Sequence, residues 1–181
     1  MDVVIGGADP GNAPPLSVVE DKLACIELIH RLARGLDRRD PAILESVFHE
    51  DATDDHGSFV GTAKDFVPWV MGVLATMIRT SHCISNTIVE VDGDEARSES
   101  YFQAFHHIQR GEHVELLTAV GRYLDTFERR DGVWKIKHRC AVYDWNHVEP
   151  AADTWDRTEP GRRFGKRWPD DPSYDPPRGL G

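Results

Sequence analysis

From Ser81 to Trp145 the chain reads as four long strands joined by tight turns, whereas the stretch before Ser81 follows a mainly helical repeat. The segments HCISNTIVEVDG, DEARSESYFQAFHHIQ, EHVELLTAVGRYLDTFERRDG and GVWKIKHRCAVYDW are rich in strand-forming residues. Between them lie Asp92-Gly93-Asp94, Arg110-Gly111 and Asp131-Gly132, residues suited to tight turns. Strands joined this closely run antiparallel, because a parallel return needs a crossover of a dozen residues or more. Helices followed by such a meander predict an α+β domain with the helices gathered on one sheet face.

Three helices are expected ahead of the sheet. Ser17-Val18-Val19-Glu20 has the form of a capping box, and Leu23, Ile26, Ile29 or His30, Ala33 and Leu36 follow at helical spacing to about Asp37. Asp40-Pro41 suits the start of a second helix, since Asp caps and Pro at the first position loses no needed N–H. Ile43, Leu44, Val47 and Phe48 give that helix its apolar stripe. The acidic stretch HEDATDDHGSFVG leaves room for a short strand and a turn. A third helix begins between Thr62 and Asp65, and Pro68 favours the later start, because it would then lie in the first turn. Trp69, Val70, Val73, Leu74 and Met77 form its expected buried face.

The ordered unit is expected over residues 17–148, with a flexible Gly/Pro/Asp-rich leader over 1–16. Residues 149–181 are dense in Pro, Gly and charge, yet carry Trp155, Phe164, Trp168 and Tyr174. Disordered tails hold few aromatics, so an extended arm lying over the domain or a neighbouring subunit is expected. The formal net charge is −10, from 21 basic and 31 acidic residues, which disfavours a nucleic-acid backbone or an anionic membrane as partner. Without a signal-peptide pattern or a membrane-length apolar run, a cytoplasmic location is expected. Cys25, Cys83 and Cys140 show no CxxC spacing and read as small buried thiols in a reducing compartment.

Asp37, closing the first helix, and His82, opening the first long strand, are a candidate base. A carboxylate at a helix C-terminus meets the negative end of the helix dipole, which raises its pKa unless a partner relieves it. An imidazole is such a partner, and the carboxylate would fix its tautomer and stabilise the imidazolium formed on proton uptake. His106 and His107 are strand neighbours and point to opposite faces, so they cannot ligate one metal together. Ala96, Ser98, Ser100, Phe102, Ala104 and His106 share a face, which makes His106 the interior histidine and His107 the surface or interface one.

Arg139 has the parity of Lys135 and Lys137, opposite to Trp134 and Ile136, so an inward Arg139 needs a bulge or a strong twist. His49, Asp51, Asp54, Asp55 and His56 match no metal-ligand spacing, and neither metal nor cofactor is expected. Trp69, Val73, Met77, Phe102 and Trp145 read first as core. With Phe48, Asp54, Ala104 and Tyr143 they are the candidate substrate contacts, in an apolar pocket that holds a ring-bearing molecule by shape.

The segments LARGLDRRDPAILESVFHEDA, TSHCISNTIVEVDGDEARSESYFQAFHH and GRYLDTFERRDGVWKIKHRCAVYDW resemble the SnoaL-like family of the nuclear-transport-factor-2-like superfamily, over about residues 17–148. The resemblance implies a cone: a curved antiparallel sheet wrapped around a long N-terminal helix, with two further helices and an apolar pocket at the wide end. The group includes the cofactor-free lyases lindane dehydrochlorinase, scytalone dehydratase and bile acid 7α-dehydratase. Likeness to them implies that Asp37 in GLDRRD and His82 in TSHCISN form the acid–base pair. It also implies Arg139 in WKIKHR as the pocket arginine and His106 as a second pocket histidine. Leu32 stands where those enzymes carry a Lys or Tyr, and no Tyr falls near Asp54–His56.

The function so implied is a dehydratase-like, cofactor-independent elimination on a small hydrophobic molecule. Double-bond isomerisation and polyketide-type cyclisation share the first step. A small subunit of an aromatic-ring dioxygenase, or a ligand-binding protein, would be the non-catalytic readings. Self-association as a homodimer or homotrimer through the outer sheet face is expected.

Overall fold

In the computed structural model, which describes residues 15–175, helix α1 spans Leu16–Arg38. It starts one residue ahead of the expected cap: Pro15 holds the N-cap position and no side chain caps the first turn. The buried stripe is Cys25, Ile29, Leu32, Ala33 and Leu36, while Leu23, expected inside, is 59% exposed. The stripe keeps helical spacing but is rotated, because Cys25 packs as a small hydrophobe.

Helix α2 (Pro41–Val47) is capped by Asp40, whose carboxylate accepts the N–H groups of Ala42 and Ile43 at 3.1 and 3.2 Å. The turn from α1 is close enough that a Cβ on Gly35 would lie 2.6 Å from Leu44 Cδ2. Helix α3 (Ala63–Ala75) begins at the early end of the expected window, so Pro68 falls inside it rather than in its first turn. The start is fixed by Thr62, whose hydroxyl donates to Asp65 at 2.7 Å and accepts the Asp65 N–H at 3.2 Å. Phe66, Val67, Val70 and Leu74 form the buried face. Trp69 and Val73 are only half-buried, and Met77 opens the next strand.

The strands are β1 (Phe48–Asp55), β2 (Val60–Thr62), β3 (Met77–Asp92), β4 (Glu95–Arg110), β5 (His113–Arg130) and β6 (Val133–Pro150). They form one curved, unclosed sheet in the order β2-β1-β6-β5-β4-β3. The β3–β6 meander is antiparallel as expected. The acidic stretch supplies two strands rather than one, and β1 joins the sheet parallel to β6. Helix α1 packs against β3 and β6. It is fastened at both ends: Asp21 accepts bonds from Trp134 Nε1 and Arg129 Nη1 at 2.7 and 2.8 Å, and Asp37 bonds to β3. These anchors stand roughly 24 Å apart along the helix at ~1.5 Å per residue.

Two irregularities between β5 and β6 shape the inner face. The register steps from Phe127↔Ile136 to Thr126↔His138, leaving Lys137 with no opposite residue. Such a bulge shifts the alternation by one. Trp134 and Ile136 before it, and Arg139 and Ala141 after it, are therefore all buried. This resolves the parity conflict at Arg139. The second step, between Val120↔Trp145 and Gly121↔Tyr143, skips Asp144. There a Cβ on Gly121 would lie 2.1 Å from the Val142 carbonyl oxygen and 2.8 Å from Phe102 Cζ, an approach that glycine permits.

Beyond Val142, β6 is exposed to its end, with Tyr143 at 55% and Trp145 at 57% exposure. Trp145 is thus not core, because β6 runs past the cover of the helices. Cys83 is exposed as well, unlike the buried thiol expected there. After Pro150 the described part of the arm returns to its own domain. The Trp168 N–H donates to the Arg38 carbonyl, and the Tyr174 hydroxyl to Asp40, both at 2.7 Å. No helix among the described residues is long and apolar enough to cross a membrane. The expected leader lies almost wholly outside the described residues.

Candidate active site

Asp37 sits in the last turn of α1, facing the early part of β3. Its Oδ2 accepts the His82 backbone N–H at 2.8 Å, and its Oδ1 accepts from His82 Nδ1 at 2.7 Å. The side chains of His82 and Asp37 are 7% and 12% exposed. Burial pushes the Asp37 carboxyl pKa up, but the bonds and charge of His82, with the Thr80 hydroxyl, outweigh it and leave it below the ordinary value. The double grip fixes carboxylate and ring together. A carboxylate facing Nδ1 requires a proton there, so neutral His82 presents Nε2 as a bare acceptor.

His106 stands beside this pair. In the β3–β4 register it lies opposite Thr80, and its ring meets that of His82 edge-on, with centroids 5.5 Å apart. Burial, and then the charge of a protonated His82 and that of Arg167, lower its pKa to about 4, against the pull of Asp37. It is neutral at pH 7, and its Nδ1 is buried with no partner among the described residues. His107 lies opposite Arg79 on β3 and feels the arm residues Asp153 and Arg157.

Arg139 belongs to a separate arrangement. The strand registers align Ser98, Asp125, Arg139 and Asp54 in one buried row across β4, β5, β6 and β1. Arg139 is fully buried and donates from Nε and Nη2 to the two Asp125 oxygens, both at 2.7 Å, with its Cζ 4.0 Å from the Tyr123 ring centroid. His56 Nδ1 bonds to Asp54, and the His56 ring stacks on Phe66 at 4.8 Å. Among the described residues, no hydrogen bond or ring contact joins Arg139 to Asp37 or His82. The row meets β3 at Val89, several residues along the strand from His82. Asp125 had a signal in the sequence, since it shares its strand face with Tyr123 and Phe127.

The apolar candidates divide between two clusters. Phe102 and Ala104 are buried with Tyr123 and Ala141, and Phe102 stacks on Tyr123 at 4.4 Å. Phe48 belongs to the core beneath the helices, against which Trp69 and Met77 pack. The cleft that opens on the dyad has a volume of about 310 Å³. His30, Ala33, Arg34, Arg38 and Ile84 surround the pair there, so this entrance is polar rather than the expected apolar hollow. Arg167, which no local pattern flagged, reaches the dyad from the arm. Its Nη1 donates to the Asp37 carbonyl oxygen and, at 2.9 Å, to the Thr80 hydroxyl. Among the described residues no three metal-binding side chains converge.

Residues 17–140 match the model of the SnoaL-like domain. The chain belongs to the SnoaL-like family. No curated protein matches it. Among solved structures, the Kfla4162 protein of Kribbella flavida is 19% identical, with 72% of this chain and 95% of that one covered at a TM-score of 0.67. The hexachlorocyclohexane dehydrochlorinase LinA-type3 of Novosphingobium barchaimii is 24% identical, covering 76% of this chain and 94% of its own at 0.63. A protein of Novosphingobium aromaticivorans described provisionally as a scytalone dehydratase is 24% identical, covering 82% and 98% at 0.64. These likenesses establish the α+β SnoaL-like fold, that of the nuclear-transport-factor-2-like superfamily.

Proposed function

We propose that this SnoaL-like protein is a cofactor-independent lyase that eliminates water, or a comparable leaving group, from a small ring-bearing molecule. The observation that carries the proposal is the double bond from Asp37 to the backbone and the ring of His82. It leaves His82 Nε2 as a base in a nearly dry setting. His82 takes the proton from carbon, the C–H electron pair becomes the new double bond, and the bond to the leaving oxygen breaks. The imidazolium, steadied by ionised Asp37, then returns its proton to that oxygen, so water departs and the pair is reset. Neutral His106, whose ring meets that of His82 edge-on, is an uncharged polar neighbour of the base. Arg167, bonded at the Asp37 carbonyl, is the cation suited to offset developing negative charge.

Double-bond isomerisation and cyclisation begin with the same proton abstraction. Structural neighbours with dehydratase and dehydrochlorinase names support the elimination reading. The test is substrate C–H exchange with deuterated water, followed by mass spectrometry over a panel of ring-bearing alcohols and ketones. Exchange or water loss with the native protein and none with His82→Ala is the expected result. Full turnover by His82→Ala would remove the mechanism. Self-association through the outer sheet face is part of the same proposal, because Ile88, Tyr101 and Leu124 are exposed apolar side chains there.

A further inference from the structure

A cleft of about 1160 Å³ lies between the C-terminal arm and the start of β3, and Asp37 forms part of its wall. Its charge opposes that of the whole chain. The protein carries a formal net charge of −10, yet seven basic side chains line this cleft against two acidic ones, Asp37 and Asp175. Four of the seven are already matched. Arg38 meets Asp171 at 3.3 Å, Arg79 and Arg157 meet Asp153 at 3.3 and 2.6 Å, and Arg162 meets Glu159 at 3.2 Å. Arg163, Lys166 and Arg167 form no ion pair with a carboxylate among the described residues.

Arg167 is the informative one. Its Nη2 is buried and has no partner among the described residues, and burial, Arg39 and Arg38 disfavour its charge against the pull of Asp37. A half-buried guanidinium with two like charges near it gains from a further anion. Trp155 and Phe164 are the aromatic side chains of the same cleft, with ring centroids 6.1 Å apart and one face of each beneath a guanidinium, Arg162 at 5.4 Å and Arg157 at 4.7 Å, while Trp155 remains 62% exposed. A cleft of one sign focuses its field and concentrates ligands of the opposite sign. Paired guanidinium nitrogens match the geometry of carboxylate and phosphate oxygens.

We propose that this cleft binds a ring-bearing oxyanion, its carboxylate or phosphate held by Arg163, Lys166 and Arg167 and its ring against Trp155 and Phe164. Because Arg167 also bonds to the Asp37 carbonyl and Thr80, the bound molecule lies next to the dyad. Delivery to His82 rests on the lyase reading; binding of the anion does not.

The test is calorimetry on the full chain with 1-naphthol, 1-naphthoate, 1-naphthyl phosphate and inorganic phosphate, repeated at rising salt. At least one naphthyl anion is expected to bind about tenfold or more tighter than naphthol, a difference of ~1.4 kcal/mol. It should quench tryptophan fluorescence and weaken as salt rises. The tighter of the two anions identifies carboxylate or phosphate as the natural headgroup. Arg163 and Lys166 are exposed, so Arg163→Ala with Lys166→Ala should fold normally and lose about tenfold in affinity. Arg167→Met should lose as much, and Arg130→Ala, which removes a surface cation outside the cleft, should bind the anion as the native protein does. Three contrary results would each overturn the proposal: equal affinity for naphthol and the anions, unchanged binding in the double variant, or no binding of any probe. Equal affinity for inorganic phosphate and naphthyl phosphate would overturn the aromatic half. A loss of catalysis in His82→Ala with no anion binding in the native protein would sink this proposal and leave the lyase reading standing.

Discussion

Asp37 occupies a place that helix electrostatics disfavours, and His82 is what makes the place tenable. His106 carries the clearest pH signature. The unfolded imidazole takes up a proton near its ordinary value of 6.5, the folded one at about 4. Between those values the unfolded state binds more protons, so stability falls as pH is lowered through that window. Urea unfolding from pH 7 to pH 4 should show a loss on the order of 2 kcal/mol that His106→Gln largely removes. Asp37 acts lower: its depressed pKa contributes stability that is present above about pH 4 and lost as acid protonates it. Arg139→Met should cost roughly 3–5 kcal/mol in denaturant unfolding, because Asp125 is left buried and unpaired. Adding Asp125→Leu should recover much of that loss. The helix end at Asp37 and the strand parity of His106 are local properties and were readable, but β3 begins at Met77 rather than beside His82, and the pairing of His82 with Asp37 came from the family resemblance. The partner of Arg139 was not legible, because the shift at Lys137 depends on how β5 and β6 align.

At the scale of elements, the cap at Asp40 was readable, since it rests on residues two or three positions away, whereas Pro68 pointed away from the early start that Thr62 caps. The parallel docking of β1 on β6 was not readable, because it joins residues some 85 positions apart, as in Thr53 with His138. Gly121 marks where this long-range geometry is tightest. Gly121→Ala drives a methyl into the Val142 carbonyl and the Phe102 ring, and should lower unfolding free energy by roughly 3 kcal/mol. Asp21→Ala would free one end of α1 and leave the Trp134 indole N–H without its acceptor. A loss of roughly 1–3 kcal/mol is expected by the same measurement.

For the whole molecule, the arm changes what the domain can do. Its aromatics were visible in the sequence as a reason for it to dock, but the target of Arg167 was not, since the arm has no repeat from which to read a face. Ile88, Tyr101 and Leu124 are exposed on the outer sheet around the Glu99–Arg122–Asp144 ion pairs, so light scattering should report a homodimer or homotrimer that Leu124→Glu weakens.

The account stands on the protonation pattern of one ring, which nitrogen-15 NMR of labelled histidine reads without any substrate. In its neutral form the His82 ring should carry its proton on Nδ1, toward Asp37, with Nε2 bare, and Asp37→Asn should disturb that pattern. A proton resident on Nε2 of the neutral native ring, with Nδ1 bare, would contradict it.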